Sequence, residues 1–280
     1  RPYPQPRWHG ESIRGRTILV YAEQGFGDAI QFVRYAGLLH DLGARVIVEC
    51  RRELTALFHC VAGVDAVIAR GDAPPAFDLH VPMLSIPGIL GTTPQNVPAN
   101  IPYIELPETL RSERPVLFAE VQPGPMIGLV WSGNSVSSID GERSLSRQEM
   151  LRFLPSDGVT YVRLQPGHPG AGVEEQDGEH HVIDASPVIG DFMDTARIIS
   201  HCDAVISVDT AVAHLAGALG KTVVNLIPVH ADWRWLTKGE TTAWYPTMRL
   251  RRQSQRGVWE DVLQGVGHDI HRIREHYDHQ

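Results

Sequence analysis

The sequence has few cysteines and no excess of positive charge. Its 280 residues include Cys50, Cys60 and Cys202, which form no CxxC pair. An odd number without paired spacing supports neither a disulfide framework nor a zinc site, and it fits a reducing cytoplasm best. Asp and Glu outnumber Lys and Arg by 33 to 25, which gives a formal net charge of −8. A chain without an overall positive field is no general binder of phosphate backbones, so we expect no nucleic-acid partner.

Long apolar runs are also missing. No stretch reaches the roughly 18 apolar residues that a membrane-spanning helix needs, and residues 1–8 are basic and proline-rich, without the apolar core of a signal peptide. No segment repeats at a fixed period, which argues against a solenoid. We therefore expect a cytoplasmic protein that is at most peripheral at the inner membrane.

Short apolar runs alternate with helical patterns along both parts of the chain. In the first part, strands are predicted at 17–22, 45–49, 66–69 and, less clearly, 77–81, with helices at 28–42 and 53–61. In the second part, strands are predicted at 126–131, 160–164, 181–184, 204–208 and 222–227, with helices at 145–154, 191–201 and 210–219. This alternation is typical of parallel sheets covered by helices, so the predicted fold class is α/β.

Prolines are concentrated between Gly91 and Pro125, where the periodic pattern fades. This stretch is the predicted connection between two Rossmann-like domains, one over 1–115 and one over 116–280. A long helix over 259–276 is expected to pack back on the N-terminal domain. Ligands of open parallel sheets bind beyond the carboxyl ends of the strands. We therefore look for chemistry at strand-to-helix turns.

The turn over 21–28 joins the first predicted strand to the first helix. Two glycines permit a tight turn and a close approach to a ligand. Ile30 stands where a dinucleotide fingerprint needs glycine, and an acid there would repel a pyrophosphate, which excludes that motif. Asp28 is then either a helix cap or a general base that faces the cleft. The candidate acceptor-side residues around it are Gln24, Gly25, Gly27 and Gln31.

A second turn follows the apolar run 204–208. The strand ends at Asp209 and an alanine-rich helix begins at Thr210, so the amides of Thr210 and Ala211 form a potential anion site. His214, one turn further, could donate to the same phosphates or to a ribose. The alternative is that Asp209 is a cap and His214 a satisfied core histidine.

A third group follows the strand at 126–131. Trp131, Gly133 and Asn134 lead towards Arg143, which could neutralise a departing nucleotide diphosphate or be an ordinary surface arginine. Gln165 ends the next strand and could meet a nucleobase or ribose, or be a polar loop residue.

The aromatic, basic and histidine clusters each have a structural interpretation beside a functional one. Trp233, Trp235, Trp244 and Tyr245 could stack on a sugar, but core packing is the favoured interpretation. The arginines between 249 and 256 suit a solvated edge strand or an anionic acceptor. The histidine groups at 180–181 and 268–279 lack convincingly spaced partner ligands, so no metal site is predicted.

Two of these turns resemble a known family. The run Asp209-Thr210-Ala211-Val212-Ala213-His214-Leu215 is similar to the donor-site motif of the heptosyltransferases, glycosyltransferase family nine, and Gly27-Asp28 is similar to that family's glycine–aspartate pair. The segments Trp8-His9-Gly10, Gly27 to Phe32 and Asp232-Trp233-Arg234-Trp235 resemble glycosyltransferase domains that follow tetratricopeptide repeats in bacteria.

The resemblance implies a GT-B architecture, in which two Rossmann-like domains face a central cleft. It implies that Asp28 is the catalytic base, that Thr210, Ala211 and His214 contact phosphates, and that Arg143 lies beside the leaving group. It also implies an upstream tetratricopeptide-repeat region as a partner. Heptosyltransferases usually carry a lysine-rich segment where this chain has Gly141-Glu142-Arg143-Ser144, so the resemblance implies a hexosyl- or heptosyltransferase type without assigning heptose from an ADP donor.

The expected function is therefore a metal-independent, inverting sugar transfer from a nucleotide diphosphate to an acceptor hydroxyl on a protein, glycan or lipopolysaccharide. No cofactor is expected, since the sequence lacks a DxD pair of the kind that holds a divalent ion. Two alternatives stay open: a non-catalytic nucleotide-sugar-binding or scaffold module, and a nucleotide-sugar epimerase.

Overall fold

A computed structural model describes residues 3–133, 143–165 and 180–278. In these ranges the chain forms two parallel sheets, one before and one after residue 115. The first sheet contains β1 Thr17–Tyr21, β2 Arg45–Cys50, β3 Ala66–Ala69 and β4 Leu79–Pro82, in the order β3-β2-β1-β4. The second contains β5 Met126–Val130, β6 Thr160–Arg163, β7 His181–Asp184, β8 Ala204–Val208, β9 Thr222–Ile227 and β10 Met248–Arg252, in the order β10-β9-β8-β5-β6-β7.

The second sheet has the strand order of a complete Rossmann fold, and the first has that of its first four strands. In each sheet the order reverses beside the first strand, where β1 pairs with both β2 and β4 and β5 pairs with both β6 and β8. Such reversal points open a crevice beyond the carboxyl ends of the strands. The turns after β1, β5 and β8 all lie at these positions.

The central strands form because their sequences are apolar throughout. Every residue of β5 (MIGLV) and of β8 (AVISV) is buried. Strands covered by helices on both faces need this continuous apolar pattern. One face of the second sheet shares a core with the first half, and the other face forms a separate core.

The helices connect these strands. Their bounds are α1 Phe26–Phe32, α2 Tyr35–Asp41, α3 Thr55–Phe58, α4 Ile86–Ile89, α5 Glu108–Ser112, α6 Arg147–Leu151, α7 Phe192–Ser200, α8 Ala211–Ala218 and α9 Glu260–Asp278. Short 3-10 turns occur at Arg52–Leu54, Met83–Ser85, Val116–Phe118, Ser186–Val188 and Trp233–Trp235. The start of α7 is fixed by Asp191, whose carboxylate accepts hydrogen bonds from the amides of Met193 and Asp194 at 2.8 and 3.0 Å.

The sequence predicted most of these elements. The strands at 66–69, 181–184, 204–208 and 222–227 have the predicted bounds, and the arginine-rich segment is the edge strand β10. The single helix predicted over 28–42 is instead the pair α1 and α2, with a break at Val33 and Arg34. The apolar pattern runs through this break, which is why the sequence does not reveal it.

The closing helix α9 packs differently from the expectation. Its buried residues Val262, Leu263, Val266 and Ile270 lie in the core on the outer face of the second sheet. They share that core with strand residues such as Ile127 and Val224. The apolar face of α9 therefore packs on the second sheet and not on the N-terminal half. The boundary between residues 115 and 116 stays a prediction. Within the described ranges, no helix combines the length and apolar character that crossing a bilayer requires.

Candidate active site

The first turns of α1 and α8 lie against each other. A Cβ atom added at Gly27 would lie 2.9 Å from Cδ2 of His214 and 3.6 Å from Cα of Ala211. Any residue larger than glycine at this position would collide with the His214 ring. The contact therefore brings the turn after β1 and the turn after β8 together, as the two candidate turns require.

Asp28 is both part of a helix cap and directed at the other half of the chain. Gly25 is the N-cap of α1, and Asp28 accepts a hydrogen bond from its amide at 3.0 Å through Oδ2. The other oxygen, Oδ1, accepts from Nη2 of Arg234 at 2.6 Å. The Asp28 side chain remains 21% exposed. The two interpretations of Asp28 as cap and as cleft-facing acid are therefore compatible.

Arg234 is the site residue that the sequence analysis missed. Its Nε donates to Asp232 at 2.8 Å, and its Nη1 donates to Gln31 at 2.7 Å. Burial lowers the pKa of Arg234, but the hydrogen bonds and charges of Asp232 and Asp28 outweigh this effect and raise it. A permanently charged guanidinium thus lies between the two halves and orients the Asp28 carboxylate. The only sequence signal was the Asp232-Trp233-Arg234-Trp235 run within the resemblance.

His214 is a buried residue of this network, 3% exposed. Its Nε2 lies 3.4 Å from Nη1 of Arg234, and its Nδ1 lies 2.9 Å from the hydroxyl of Tyr245. Burial, followed by the charges of Arg234 and Arg34, lowers the pKa of His214 well below its usual range. The ring is therefore neutral, and its two nitrogens are occupied by protein groups. The satisfied core histidine is the interpretation that this geometry favours.

The side chains of Asp209 and Thr210, which follow β8, have different hydrogen-bond partners. The Asp209 carboxylate accepts from Nε1 of Trp235 at 2.9 Å. Burial raises the pKa of Asp209, against the opposing effects of the Trp235 hydrogen bond and the Arg234 charge. Thr210 is the N-cap of α8 but makes no side-chain cap bond; its hydroxyl lies 3.0 Å from that of Ser207. Among the described residues neither of these side chains caps the helix, so the first amides of α8 can donate to another acceptor.

The turn after β5 is held by Gln165. Its Oε1 accepts from the amides of Trp131 and Ser132 at 3.2 and 3.1 Å, while the amide of Gly133 donates to Ser144 at 3.1 Å. Gln165 thus shapes this turn, and its predicted contact with a nucleobase or ribose stays a prediction. The predicted site residue Asn134 lies outside the described residues.

Arg143 joins this turn to the anion site. Its Nη1 donates to the backbone carbonyl of Asp209 at 2.9 Å. The guanidinium therefore lies beside the residue that precedes the N-cap of α8, and its leaving-group role stays a prediction.

The four acceptor-side residues are divided by the structure. Gln24 and Gly25 are exposed at the start of α1, whereas Gly27 is covered by α8. Gln31 is fully buried, and its Oε1 is occupied by Arg234. A direct contact of Gln31 with an acceptor is therefore replaced by a bond to the arginine.

The aromatic cluster has one exposed member. Trp235 and Tyr245 are core residues, as the packing interpretation expected, and the Trp235 ring stacks on His214 at 5.3 Å between centroids. Trp233 is 62% exposed and lies 6.4 Å from Phe32 and 6.1 Å from Trp244, again between ring centroids. It also adjoins Arg234, whose Cζ lies 5.7 Å from the centroid of the Trp233 ring.

Known proteins share part of this sequence. The family model for glycosyltransferase family 9 (heptosyltransferase) matches residues 191–242, which include α7, β8, α8, β9 and the Trp233–Trp235 turn. The chain is 25% identical over 287 residues to protein FlbA of Caulobacter vibrioides. That alignment covers 93% of this chain and 47% of FlbA, so the chain spans about half the length of this relative.

Solved structures establish the fold. The family 9 glycosyltransferase of Veillonella parvula superposes with a TM-score of 0.65 at 11% identity, covering 96% of this chain and 99% of that one. The ADP-heptose lipopolysaccharide heptosyltransferase II of E. coli gives 0.63 at 13% identity, covering 94% and 99%. The predicted GT-B fold and the resemblance to the heptosyltransferases are confirmed. The family-model match over residues 191–242 supports a glycosyltransferase.

A further structural neighbour bears on metals. TibC, a dodecameric glycosyltransferase of enterotoxigenic E. coli, is described as iron-containing; it gives a TM-score of 0.54 at 13% identity, covering 96% of this chain and 77% of TibC. In the described part of this chain, no three His, Cys, Asp or Glu side chains are grouped so that they could hold a metal ion.

Proposed function

We propose that this chain transfers a sugar from a nucleotide diphosphate to an acceptor hydroxyl, with inversion at the anomeric carbon. The observation that carries the proposal is the contact between the first turns of α1 and α8: a Cβ atom added at Gly27, the neighbour of Asp28, would lie 3.6 Å from Cα of Ala211, at the start of a helix whose N-cap Thr210 makes no side-chain cap bond. A donor that spans this contact would present its sugar to the acid and its phosphates to the amides.

In the proposed step, Asp28 takes the proton of the acceptor hydroxyl as the oxygen attacks the anomeric carbon. The bond between that carbon and the phosphate oxygen breaks, and its electron pair leaves with the diphosphate. The amides at the start of α8 and the Arg143 guanidinium balance the resulting charge. This arrangement provides the positive charge from the protein itself, which is why we propose a reaction without a metal.

Arg234 has a supporting role in this step. Its bond to Oδ1 of Asp28 fixes the carboxylate, and each carboxylate oxygen retains a further lone pair for the acceptor hydroxyl. The guanidinium is itself held by Asp232 and Gln31. A base that is already held in place by hydrogen bonds needs little reorganisation when the acceptor arrives.

The test compares Asp28→Asn with Glu23→Gln, a conservative change of an exposed acid in the same turn. Both proteins are titrated with a panel of nucleoside diphosphates and assayed for transfer from the corresponding sugar nucleotides. We expect Asp28→Asn to lower turnover by about 100-fold or more while nucleotide affinity is kept, because general bases typically contribute this much. Glu23→Gln should behave as the parent protein.

Three outcomes would contradict the proposal. Unchanged turnover in Asp28→Asn would remove the base assignment. Nucleotide binding by the parent protein without transfer or donor hydrolysis would favour a binding module. Conversion of the sugar nucleotide without any acceptor would favour an epimerase.

A further inference from the structure

The hydrogen bonds around His214 determine which of its nitrogens carries the proton. A guanidinium has only donors, so in the contact with Nη1 of Arg234 the Nε2 atom of His214 must accept. A neutral imidazole then carries its single proton on Nδ1, and this proton is donated to the hydroxyl of Tyr245 at 2.9 Å. His214 is therefore fixed as the Nδ1–H tautomer.

Two tyrosines continue the chain of donors. Tyr103 donates its hydroxyl proton to the carbonyl of Ile30 at 2.9 Å, so it must accept from Tyr245, whose oxygen lies 3.4 Å away. Tyr245 thus accepts from His214 and donates to Tyr103. The series runs from His214 through both hydroxyls to the backbone of α1, and it has only one consistent direction.

We propose that His214 is a positioning residue whose Nδ1–H tautomer, stabilised by donation to Tyr245, lets Nε2 hold the Arg234 guanidinium against Asp28. This deepens the proposed function, because the catalytic consequence depends on Asp28 acting as the base. It differs from the phosphate contact that the resemblance implies for His214, since the Nε2 lone pair faces a cation and has no proton to give to a phosphate.

The surrounding charges agree with a neutral ring. The groups that face His214 are the cations Arg234 and Arg34, the indole of Trp235 and the hydroxyl of Tyr245. Both nearby charges oppose a proton on Nε2. Burial of the ring acts in the same direction.

The first experiment reads the tautomer directly. Protein labelled with 15N histidine is examined at pH 7 by long-range 15N–1H correlation, and the His214 signals are assigned by their absence in His214→Gln. We expect a protonated Nδ1 and an unprotonated Nε2. Tyr245→Phe keeps the ring but removes the acceptor for Nδ1–H, and it should shift the balance towards Nε2–H. A proton on Nε2 in the parent protein would overturn the proposal, whatever the activity of the chain.

The second experiment separates positioning from phosphate binding. The Oε1 of glutamine in His214→Gln can replace Nε2 as the acceptor for Arg234, whereas His214→Leu has no acceptor. We expect kcat to fall by about 100-fold in His214→Leu, as for a reacting group displaced by about 1 Å, and by less than tenfold in His214→Gln. The Kd values for ADP, UDP, GDP and CDP should stay within about twofold in both.

These outcomes distinguish the two proposals. If His214→Leu weakens nucleotide binding and leaves kcat unchanged, His214 contacts phosphate and the positioning role is wrong. If the parent protein has the Nδ1–H tautomer but neither binds nucleotides nor transfers sugar, the hydrogen-bond network is correct and the proposed function fails. If His214→Leu does not fold, Tyr245→Phe supplies the comparison, with an expected fall in kcat of about tenfold at unchanged nucleotide Kd.

Discussion

Helices α1 and α8 both follow a buried parallel strand and both begin near an aspartate, yet their first turns offer opposite charges. In α1, Asp28 stands inside the first turn, so one oxygen bonds the amide of Gly25 and the other faces Arg234. In α8, Asp209 precedes the helix, and its carboxylate is turned inward to Trp235. The position of an acid relative to the helix start therefore decides whether that end presents a carboxylate or backbone amides without a side-chain cap.

The largest effect should come from removing the hydrogen-bond donor of the buried Asp209 carboxylate. Trp235→Phe removes its indole donor and leaves a buried acid without that bond. Hydrogen bonds to charged groups contribute about 1.5–3 kcal/mol, and the smaller ring adds a cavity. We expect the free energy of unfolding to fall by about 3 kcal/mol, as measured by urea denaturation.

Trp233→Phe is the matched control, because its indole is mostly exposed. A change within about 0.5 kcal/mol is expected there. Equal losses in both variants would show that the Asp209 bond is not what distinguishes the two helix starts.

A smaller effect should follow from separating the two turns. In Gly27→Ala, the new methyl group would overlap the His214 ring. Overpacking of this kind costs about 1–3 kcal/mol, and we expect a loss of that size in thermal or urea unfolding. Gly88→Ala in α4 is the control, since its added methyl meets no atom within 4 Å. If both variants are equally stable, the close contact between α1 and α8 is wrong.

The pH dependence of stability should also reflect the buried histidine of α8, His214. The folded-state pKa of His214 is depressed, so the unfolded chain binds a proton more readily. This contribution to stability is complete above the unfolded value of about 6.5 and is lost as pH falls below it. The fall in Tm from pH 8 to pH 5 should be smaller in His214→Gln than in the parent.

Some dependence should remain in that variant, because burial also lowers the pKa values of His80 and His201. Identical pH profiles for the parent and His214→Gln would contradict a neutral, buried His214.

The smallest effect is expected for Thr210→Val. Thr210 makes no side-chain cap bond, and its hydroxyl contacts only Ser207 among the bonds described. Loss of one neutral hydrogen bond should cost about 1 kcal/mol, measured by urea denaturation against Thr222→Val on an exposed strand position. A loss above about 2 kcal/mol would mean that the Thr210 hydroxyl does cap α8.

The sequence predicted those parts of the fold that depend on local pattern. Continuous apolar runs located β5 and β8, and the glycines and acid after β1 located Asp28. Arg234 could not be found in this way, because its bond to Asp28 joins positions 206 residues apart. The role of His214 was left open for a similar reason: an apolar helix face admits a ligand or a core residue, and only the positions of Arg234 and Tyr245 decide between them.

The exposure of Trp233 has a practical consequence. The chain contains six tryptophans, and the other five are buried, whereas Trp233 is 62% exposed beside Arg234. A dissolved collisional quencher would reach this indole far more readily than its five counterparts. The emission that such a quencher removes would therefore report on the surface beside Arg234, and a molecule that covers the Trp233 indole would shield it, without any attached dye.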